Sequence, residues 1–385
     1  MTGDGVRGDG VREAVGLDVG AVLTKVVPAR GRAVVAPTAP GGVAALLAGV
    51  RPGAVGVAVP HGGDGDVVVR ELAGLGLPDP VPVPAALCAA AGWLDRLPRP
   101  VEPAVHLVCE VGARTTAVAL CAVDDRGVRL VRVERAGSPD VADAFGVPRD
   151  WLARQGAARA RRLAVVLDRA VRQHRYRATP VYLDHDRAVT AGAVLDALAP
   201  VARRAAEVAA RFADELDHGS AVVLSGVFGA TAPVRDAVLG AVGRWRTPSA
   251  LAVDDVARGA MLVASGAVLA RVDHPHTLGL PVRRISGGLL TSSVLTLVEA
   301  GRPPTPVDAV VRVEAGDDPA PVLLRPRGEG PWQPLTTGPV APPGEYRVEV
   351  RAGRTTTGVL VLRPVAGGPP VTCPLPEPGP GGAPG

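Results

Sequence analysis

The sequence is poor in aromatic residues, which make up only 3% of its 385 positions. Because 47% of the residues are hydrophobic, a large core is still possible, but it must be built mainly from Val, Ala and Leu. Asparagine is absent, Lys25 is the only lysine and Ile285 is the only isoleucine. Since AT-rich codons specify these three residue types, the composition favours a gene from a GC-rich bacterial genome.

Cysteine is also scarce, and its four copies form no Cys-x-x-Cys pair; they are Cys88, Cys109, Cys121 and Cys373. Three of them lie in apolar runs, which predicts buried thiols in a reducing compartment rather than disulfides or a zinc site. Charge of one sign does not dominate, because 42 basic residues face 38 acidic ones. The balance gives no indication of a specific nucleic-acid partner.

No long hydrophobic run is present. The polar N-terminus repeats GDGVR at 3–7 and 8–12, lacks the apolar stretch of a signal peptide, and predicts a flexible segment over 1–13. The most apolar later stretch, 251–272, is interrupted by charged residues. We therefore expect a cytoplasmic protein without a membrane span.

Glycine and proline, 48 and 39 residues, cluster at the chain ends and between periodic segments. Strands alternate with helices over 14–274, which predicts an α/β domain of two lobes, about 14–100 and 101–274. Short alternating segments over 280–364 predict a small all-β, sandwich-like domain. The Pro/Gly composition of 365–385 predicts a disordered tail.

An internal repeat with the pattern acid-Val-Gly-Ala-x-x-Thr is the most informative motif. It consists of Asp18-Val19-Gly20-Ala21 with Thr24, and of Glu110-Val111-Gly112-Ala113 with Thr116. Each acid ends an apolar strand and each glycine permits a tight turn, so we expect two β-hairpins that present N–H groups and a hydroxyl beside a carboxylate. Facing each other, they can clamp a polyphosphate with Mg²⁺ on the carboxylates. The alternative is two ordinary hairpins in a sequence rich in Val, Gly and Ala; the matching offsets at the start of two successive α/β units favour the clamp.

Several segments resemble motifs of the superfamily that contains actin, MreB, PilM and the DnaK-type chaperones. GLDVGAVLTK (16–25) and LVCEVGARTTAVAL (107–120) resemble its two phosphate loops. VGVAVP (55–60) and 69–93 resemble its connecting strand and helix, and 221–238 its adenosine loop. The segment 254–266, part of a helix predicted over 254–270, resembles its closing helix. The resemblance implies a two-lobed actin-like ATPase fold with ribonuclease H-like lobes. Within it, the chain is most similar to a DnaK-like protein with a shortened upper lobe.

The resemblance also implies a site for ATP or ADP, with Mg²⁺ on Asp18 and Glu110. Lys25 follows Asp18 by seven residues, the spacing at which actin-like members place a lysine near the β- and γ-phosphates. The residues implied to contact nucleotide are Gly20, Ala21, Lys25, Gly112, Arg114, Thr115, Thr116, Gly226 and Gly229, with Arg161 or Arg162 stacked on the base. A solvated face or an acidic protein partner is the alternative for the two arginines.

Departures from the family pattern affect hydrolysis. Val83 stands where family members carry a Glu or Gln, and valine can neither accept a proton nor hydrogen-bond water. We therefore expect at most a weak ATPase. One hypothesis is an ATP-binding, DnaK-like protein with a chaperone-like or regulatory role and a protein client; the other is a non-catalytic, PilM-type scaffold for an assembly or secretion system. A sugar kinase lacks a recognisable catalytic Asp, and Ser225-Gly226 lacks the G-x-S-x-G of a nucleophile turn.

Overall fold

The computed structural model divides into two compact units, Met1–Ala270 and Arg271–Gly385. The structure describes residues 13–20, 23–38, 42–48, 50, 52–60, 72, 74, 77, 80–98, 100–112, 115–125, 127–136, 165–184, 187–226, 228–244, 246–272, 276–286, 289–300, 307, 309–316, 318–326, 330–352 and 358–375. None of the helices in these ranges is long and apolar enough to span a membrane.

The first unit begins with a five-stranded sheet. Its strands are β1 (Ala14–Val19), β2 (Leu23–Pro28), β3 (Val34–Pro37), β4 (Ala54–Val59) and β5 (Val81–Pro84), in the order β3-β2-β1-β4-β5. β2 runs antiparallel to β1, while β4 runs parallel to it. The apolar odd-numbered residues of β1, such as Leu17, pack in one core with helix α1 (Gly42–Leu47), so the even-numbered residues face the other side of the sheet.

A second sheet repeats this topology. Its elements are β6 (Ala104–Val111), β7 (Thr116–Asp124), β8 (Gly127–Arg135), β11 (Val222–Ser225), β12 (Pro248–Ala250) and β13 (Leu269–Val272), in the order β12-β11-β6-β7-β8-β13. The order β8-β7-β6-β11-β12 matches that of the first sheet, again with an antiparallel hairpin followed by a parallel neighbour. This duplication confirms the predicted α/β fold class, with two lobes that share one strand order.

The remaining elements of the first unit cover and connect these sheets. Helices α2 (Ala85–Leu94), α3 (Ala191–Arg211), α4 (Ala232–Val242) and α5 (Asp255–Ala264) accompany a hairpin of β9 (Pro180–Asp184) and β10 (Arg187–Thr190), and 165–172 is helical. α3 and α4 share one core with the second sheet. α2 follows β5 but packs on β6, β7, β8 and β11, whereas α5 follows β12 and packs on β1, β2 and β4.

α2 and α5 cross at two glycines between the lobes. A Cβ on Gly259 would lie 1.8 Å from the carbonyl oxygen of Cys88, and one on Gly92 would lie 2.2 Å from that of Asp255. Such an approach of two backbones requires glycine. All residues of α2 are buried, which its uniformly apolar sequence allows. The contact between α2 and α5 therefore connects the sheet of one lobe with the sheet of the other.

The second unit contains two antiparallel sheets of four strands around one apolar core. One is β15-β14-β17-β18, built from β14 (Thr277–Ser286), β15 (Leu289–Val298), β17 (Pro321–Arg325) and β18 (Gln333–Thr337). The other is β16-β19-β20-β21, built from β16 (Val310–Val313), β19 (Gly344–Ala352), β20 (Gly358–Pro364) and β21 (Val371–Pro374).

Two elements differ from the sequence prediction. The closing helix, expected to reach residue 270, ends at Ala264, because Gly266 adopts a φ of 75° just beyond it and stops the helix. The tail expected to be disordered from residue 365 contains β21, which pairs with β20. The many prolines made the composition of this segment typical of disorder. An edge strand such as β21 nevertheless tolerates proline.

Candidate functional site

An acid and a lysine face each other at the first hairpin. Asp18 on β1 and Lys25 on β2 are direct register partners, and Lys25 Nζ donates to Asp18 Oδ2 at 2.7 Å. The pair lies on the even-numbered face of β1, the side on which Gly16 packs against α5. A Cβ on Gly20 would lie 3.3 Å from Lys25 Nζ, so the ammonium group sits beside the hairpin turn.

The second hairpin repeats this construction with Glu110 at the end of β6. The N–H of Gly112 donates to the carbonyl oxygen of Thr115 at 2.9 Å, just as that of Gly20 donates to Leu23 at 3.0 Å. Leu107 and Cys109 pack toward α3 and α4, so strand alternation turns Glu110 to the opposite face, toward α2. The sequence repeat is therefore a structural repeat, with one acid at the same place in each lobe.

Asp18 and Glu110 influence each other electrostatically although they stand on different lobes. The pKa of Glu110 is raised to about 7, chiefly by burial and then by the Asp18 carboxylate, while Lys25 acts to lower it. Burial also raises the pKa of the Cys88 thiol, and the carboxylates of Asp18 and Glu110 add to this effect. Asp18, Lys25 and Glu110 thus form one group, with Cys88 of α2 beneath it.

Val83 lies in the segment that leads into α2, where the family pattern places a catalytic Glu or Gln. Its side chain is 3% exposed, and the Cys88 thiol donates to its carbonyl oxygen at 3.7 Å. Val83 therefore brings neither a base nor a hydrogen-bonding side chain to the group.

The two carboxylates suit a hydrated divalent cation. Mg²⁺ prefers oxygen ligands, keeps several waters and is commonly held by one or two carboxylates. Burial raises the pKa of Glu110, and the Asp18 carboxylate adds to this effect. A cation held by the two carboxylates would favour their charged forms. Among the described residues, no cluster of three or more His, Cys, Asp or Glu forms a denser metal site.

The predicted glycines of the adenosine loop lie against the second hairpin. Gly226 has a φ of 83°, and a Cβ there would come within 2.3 Å of the Val111 carbonyl oxygen. The N–H of Phe228 donates to the same oxygen at 3.1 Å. Gly229 packs on the carbonyl of Ser225, which a Cβ would approach to 2.0 Å. Both glycines are thus explained by close backbone packing beside the site.

The threonines of the repeat do not join the carboxylates, contrary to the predicted hairpin design. Thr24 is buried and its hydroxyl hydrogen-bonds that of Thr38 at 3.0 Å. Thr116 is fully buried opposite Val111. It lies on the face away from Glu110, because successive side chains of a strand point to opposite faces. This placement does not support a nucleotide contact for Thr116. Thr115 remains at the turn itself.

Four predicted contact residues, Ala21, Arg114, Arg161 and Arg162, lie outside the described residues. Sequence reasoning rejected Ser225 as a nucleophile turn and assigned it no other role. Ser225 is the register partner of Glu110 on the neighbouring parallel strand β11, and its hydroxyl is buried. The only signal for it was its position at the end of an apolar strand.

No family model matches this sequence, and no curated protein matches it. Among solved structures, an archaeal actin homolog, Ta0583, is similar at 16% identity over 66% of this chain and 99% of its own, with a TM-score of 0.46. The ethanolamine utilization protein EutJ from Carboxydothermus hydrogenoformans is similar at 13% identity over 67% of this chain and 91% of its own, with a TM-score of 0.40. The assignment of the two-lobed fold rests on the strand order of the two sheets.

Proposed function

We propose that the first unit binds ATP or ADP with Mg²⁺ between its two hairpins. The observation that carries this proposal is the convergence of Asp18, Lys25 and Glu110, which come from matched turns of two different lobes. The acids would hold the hydrated cation. Lys25 would leave its ion pair with Asp18 and bind a phosphate oxygen instead. This role suits lysine, whose ammonium group is a compact charge on a flexible side chain.

Hydrolysis at this site would be weak. A positioned general base or a water-orienting side chain contributes about 10²–10⁴-fold to such reactions, and Val83 provides neither. Binding would still shift the equilibrium between lobe arrangements, since a ligand held by both lobes favours the arrangement that brings them together. In this proposal the protein is a switch that responds to nucleotide binding and hydrolyses ATP slowly.

For the second unit we propose a chaperone-like role of the DnaK type, with a protein client. β14 pairs with β17 only over Thr277–Gly279, so the far end of the β14–β15 hairpin extends beyond the sheet. Leu289 and Leu290 at that end are 71% and 65% exposed. Two adjacent exposed leucines suit contact with apolar segments of an incompletely folded protein.

The alternative is a non-catalytic, actin-like scaffold for an assembly or secretion system. The Asp18–Lys25 ion pair favours it, because the pair already satisfies the lysine and one acid without a ligand. In this case the lobes would serve as a rigid docking body, and nucleotide would have no effect on partner binding.

Calorimetric titration with ATP and Mg²⁺ separates these proposals. We expect binding to the unmodified protein and affinity lower by about 10–100-fold in Lys25→Ala, as for loss of a hydrogen bond to a charged group. Arg235→Ala is the matched control, because Arg235 ion-pairs with Asp236 on α4, on the other side of the second sheet. Absence of binding at millimolar ATP would support the scaffold.

A further inference from the structure

Ser225, the last residue of β11, carries a buried hydroxyl that lacks a partner. The residue is 2% exposed, and its Oγ accepts and donates no hydrogen bond among the groups that the structure describes. A buried polar group without a partner disfavours folding, so such groups in a native protein need an explanation, often a bound water or ion. Nothing in the predicted nucleotide motifs assigns a role to this hydroxyl.

The hydroxyl faces the acid group. Val222 and Leu224 of β11 pack in the core with α3 and α4, so Ser225 projects from the other face of the strand. Glu110 is its register partner on β6 and projects from that same face. In-register residues on neighbouring strands, which lie about 4.7–4.9 Å apart, carry their side chains on the same face of the sheet.

The backbone beyond Ser225 fixes this arrangement. Gly226 has a positive φ, and its Cα approaches the Val111 carbonyl so closely that a Cβ would lie 2.3 Å from that oxygen. The end of β11 is therefore held against the strand that carries Glu110, and the hydroxyl cannot turn to solvent without disturbing both.

We propose that Ser225 is a positioning residue that holds, together with Glu110, a water of the divalent cation's hydration shell. This inference rests on the proposed binding of Mg²⁺ with nucleotide in the cleft. The serine hydroxyl can accept a hydrogen bond from such a water, and the carboxylate accepts the second. The cation thereby gains an ordered water on the second lobe, in addition to the carboxylates.

Ser220, two residues before β11 begins, provides a matched control. It is 4% exposed, and its hydroxyl donates to Asp217 Oδ1 at 3.0 Å. Ser→Ala at either position makes the same chemical change in a buried site, but only Ser225 faces Glu110.

The test is titration of Mn²⁺, in place of Mg²⁺, into the full chain saturated with ADP. Loss of an outer-shell partner typically weakens metal binding about 10–100-fold, so we expect at least tenfold weaker Mn²⁺ binding in Ser225→Ala. Ser220→Ala should bind Mn²⁺ as the unmodified protein does, and Ser225→Thr, which keeps the hydroxyl, should recover most of the affinity. In EDTA, Ser225→Ala should melt no lower than the unmodified protein, because it removes a hydroxyl that lacks a protein partner.

Unchanged Mn²⁺ affinity in Ser225→Ala, with ADP still bound, would overturn the inference and leave the proposed function standing. A Ser225→Ala protein that melts well below the unmodified chain in EDTA, or fails to fold, would give the hydroxyl a structural role and also overturn it. Failure of the unmodified protein to bind ADP or Mn²⁺ would remove the proposed function and the inference together.

Discussion

Asp18 and Lys25 lie directly opposite each other on β1 and β2, joined by a 2.7 Å ion pair at the turn of the first hairpin. Lys25 is the only lysine of the chain, and it stands where it neutralises one acid of a pair that spans both lobes. Glu110, the other acid, has no described ion pair of its own. Burial, with the Asp18 carboxylate, raises the pKa of Glu110 to about 7.

Glu110 should make the ligand-free protein less stable as pH rises. Its pKa is raised from 4.5 to about 7 in the folded state, so between these values the folded chain keeps a proton that the unfolded chain releases. The free energy of unfolding should therefore fall across this window and level off above about 7. Glu110→Gln cannot ionise and should lack this component, which melting temperatures in EDTA from pH 4.5 to 8 would measure. Parallel pH profiles for the two proteins would contradict the prediction.

Val83→Gln should increase phosphate release from ATP. The substitution places a hydrogen-bonding side chain where the family pattern has one, and we expect a rise of at least tenfold. Val83→Met is the control, because methionine is similar in length to glutamine but cannot position water. Phosphate release by the unmodified protein at the rate of Val83→Gln would show that another residue performs this step.

Gly259→Ala should destabilise the first unit by about 3 kcal/mol or more, because its methyl group would meet the Cys88 carbonyl oxygen at 1.8 Å. Gly240 provides the opposite case: it lies in α4, and a Cβ there meets no atom within 4 Å. Gly240→Ala should stabilise the protein by about 0.5–1 kcal/mol. Urea unfolding measures both changes, and equal effects at the two positions would refute the close helix crossing.

Replacing Leu289 and Leu290 with serine should weaken suppression of client aggregation without lowering the melting temperature, because both side chains are exposed. Val340→Ser is the control, since Val340 is 79% exposed in the same unit but does not belong to β14 or β15. An unchanged assay in the leucine double variant would place the client site elsewhere or favour the scaffold proposal.

The sequence predicts the hairpins well, because an acid at a strand end followed by a tight glycine turn is a local pattern. The matching positions of Asp18 and Glu110, and the placement of Val83 before α2, follow from the same local signals. The end of α5 was predicted too late because an apolar run continues past Gly266, where the backbone conformation rather than the composition stops the helix.

Other parts of the site depend on contacts between distant segments. The face on which Thr116 lies follows from strand register, which a motif does not reveal. The closeness of Ser225 to Glu110 requires β11 to pair with β6, and the contact of Gly259 with Cys88 requires each helix to pack on the other lobe. These relationships exist only once the lobes have assembled.

The most direct test of the shared site is the gain in ATP affinity on adding Mg²⁺, measured for the unmodified protein, Asp18→Asn and Glu110→Gln. These acids lie on different lobes, so each variant alone should lose most of the gain if one cation is held between them. Full retention of the Mg²⁺ effect in either variant would contradict a cation shared by the two hairpins.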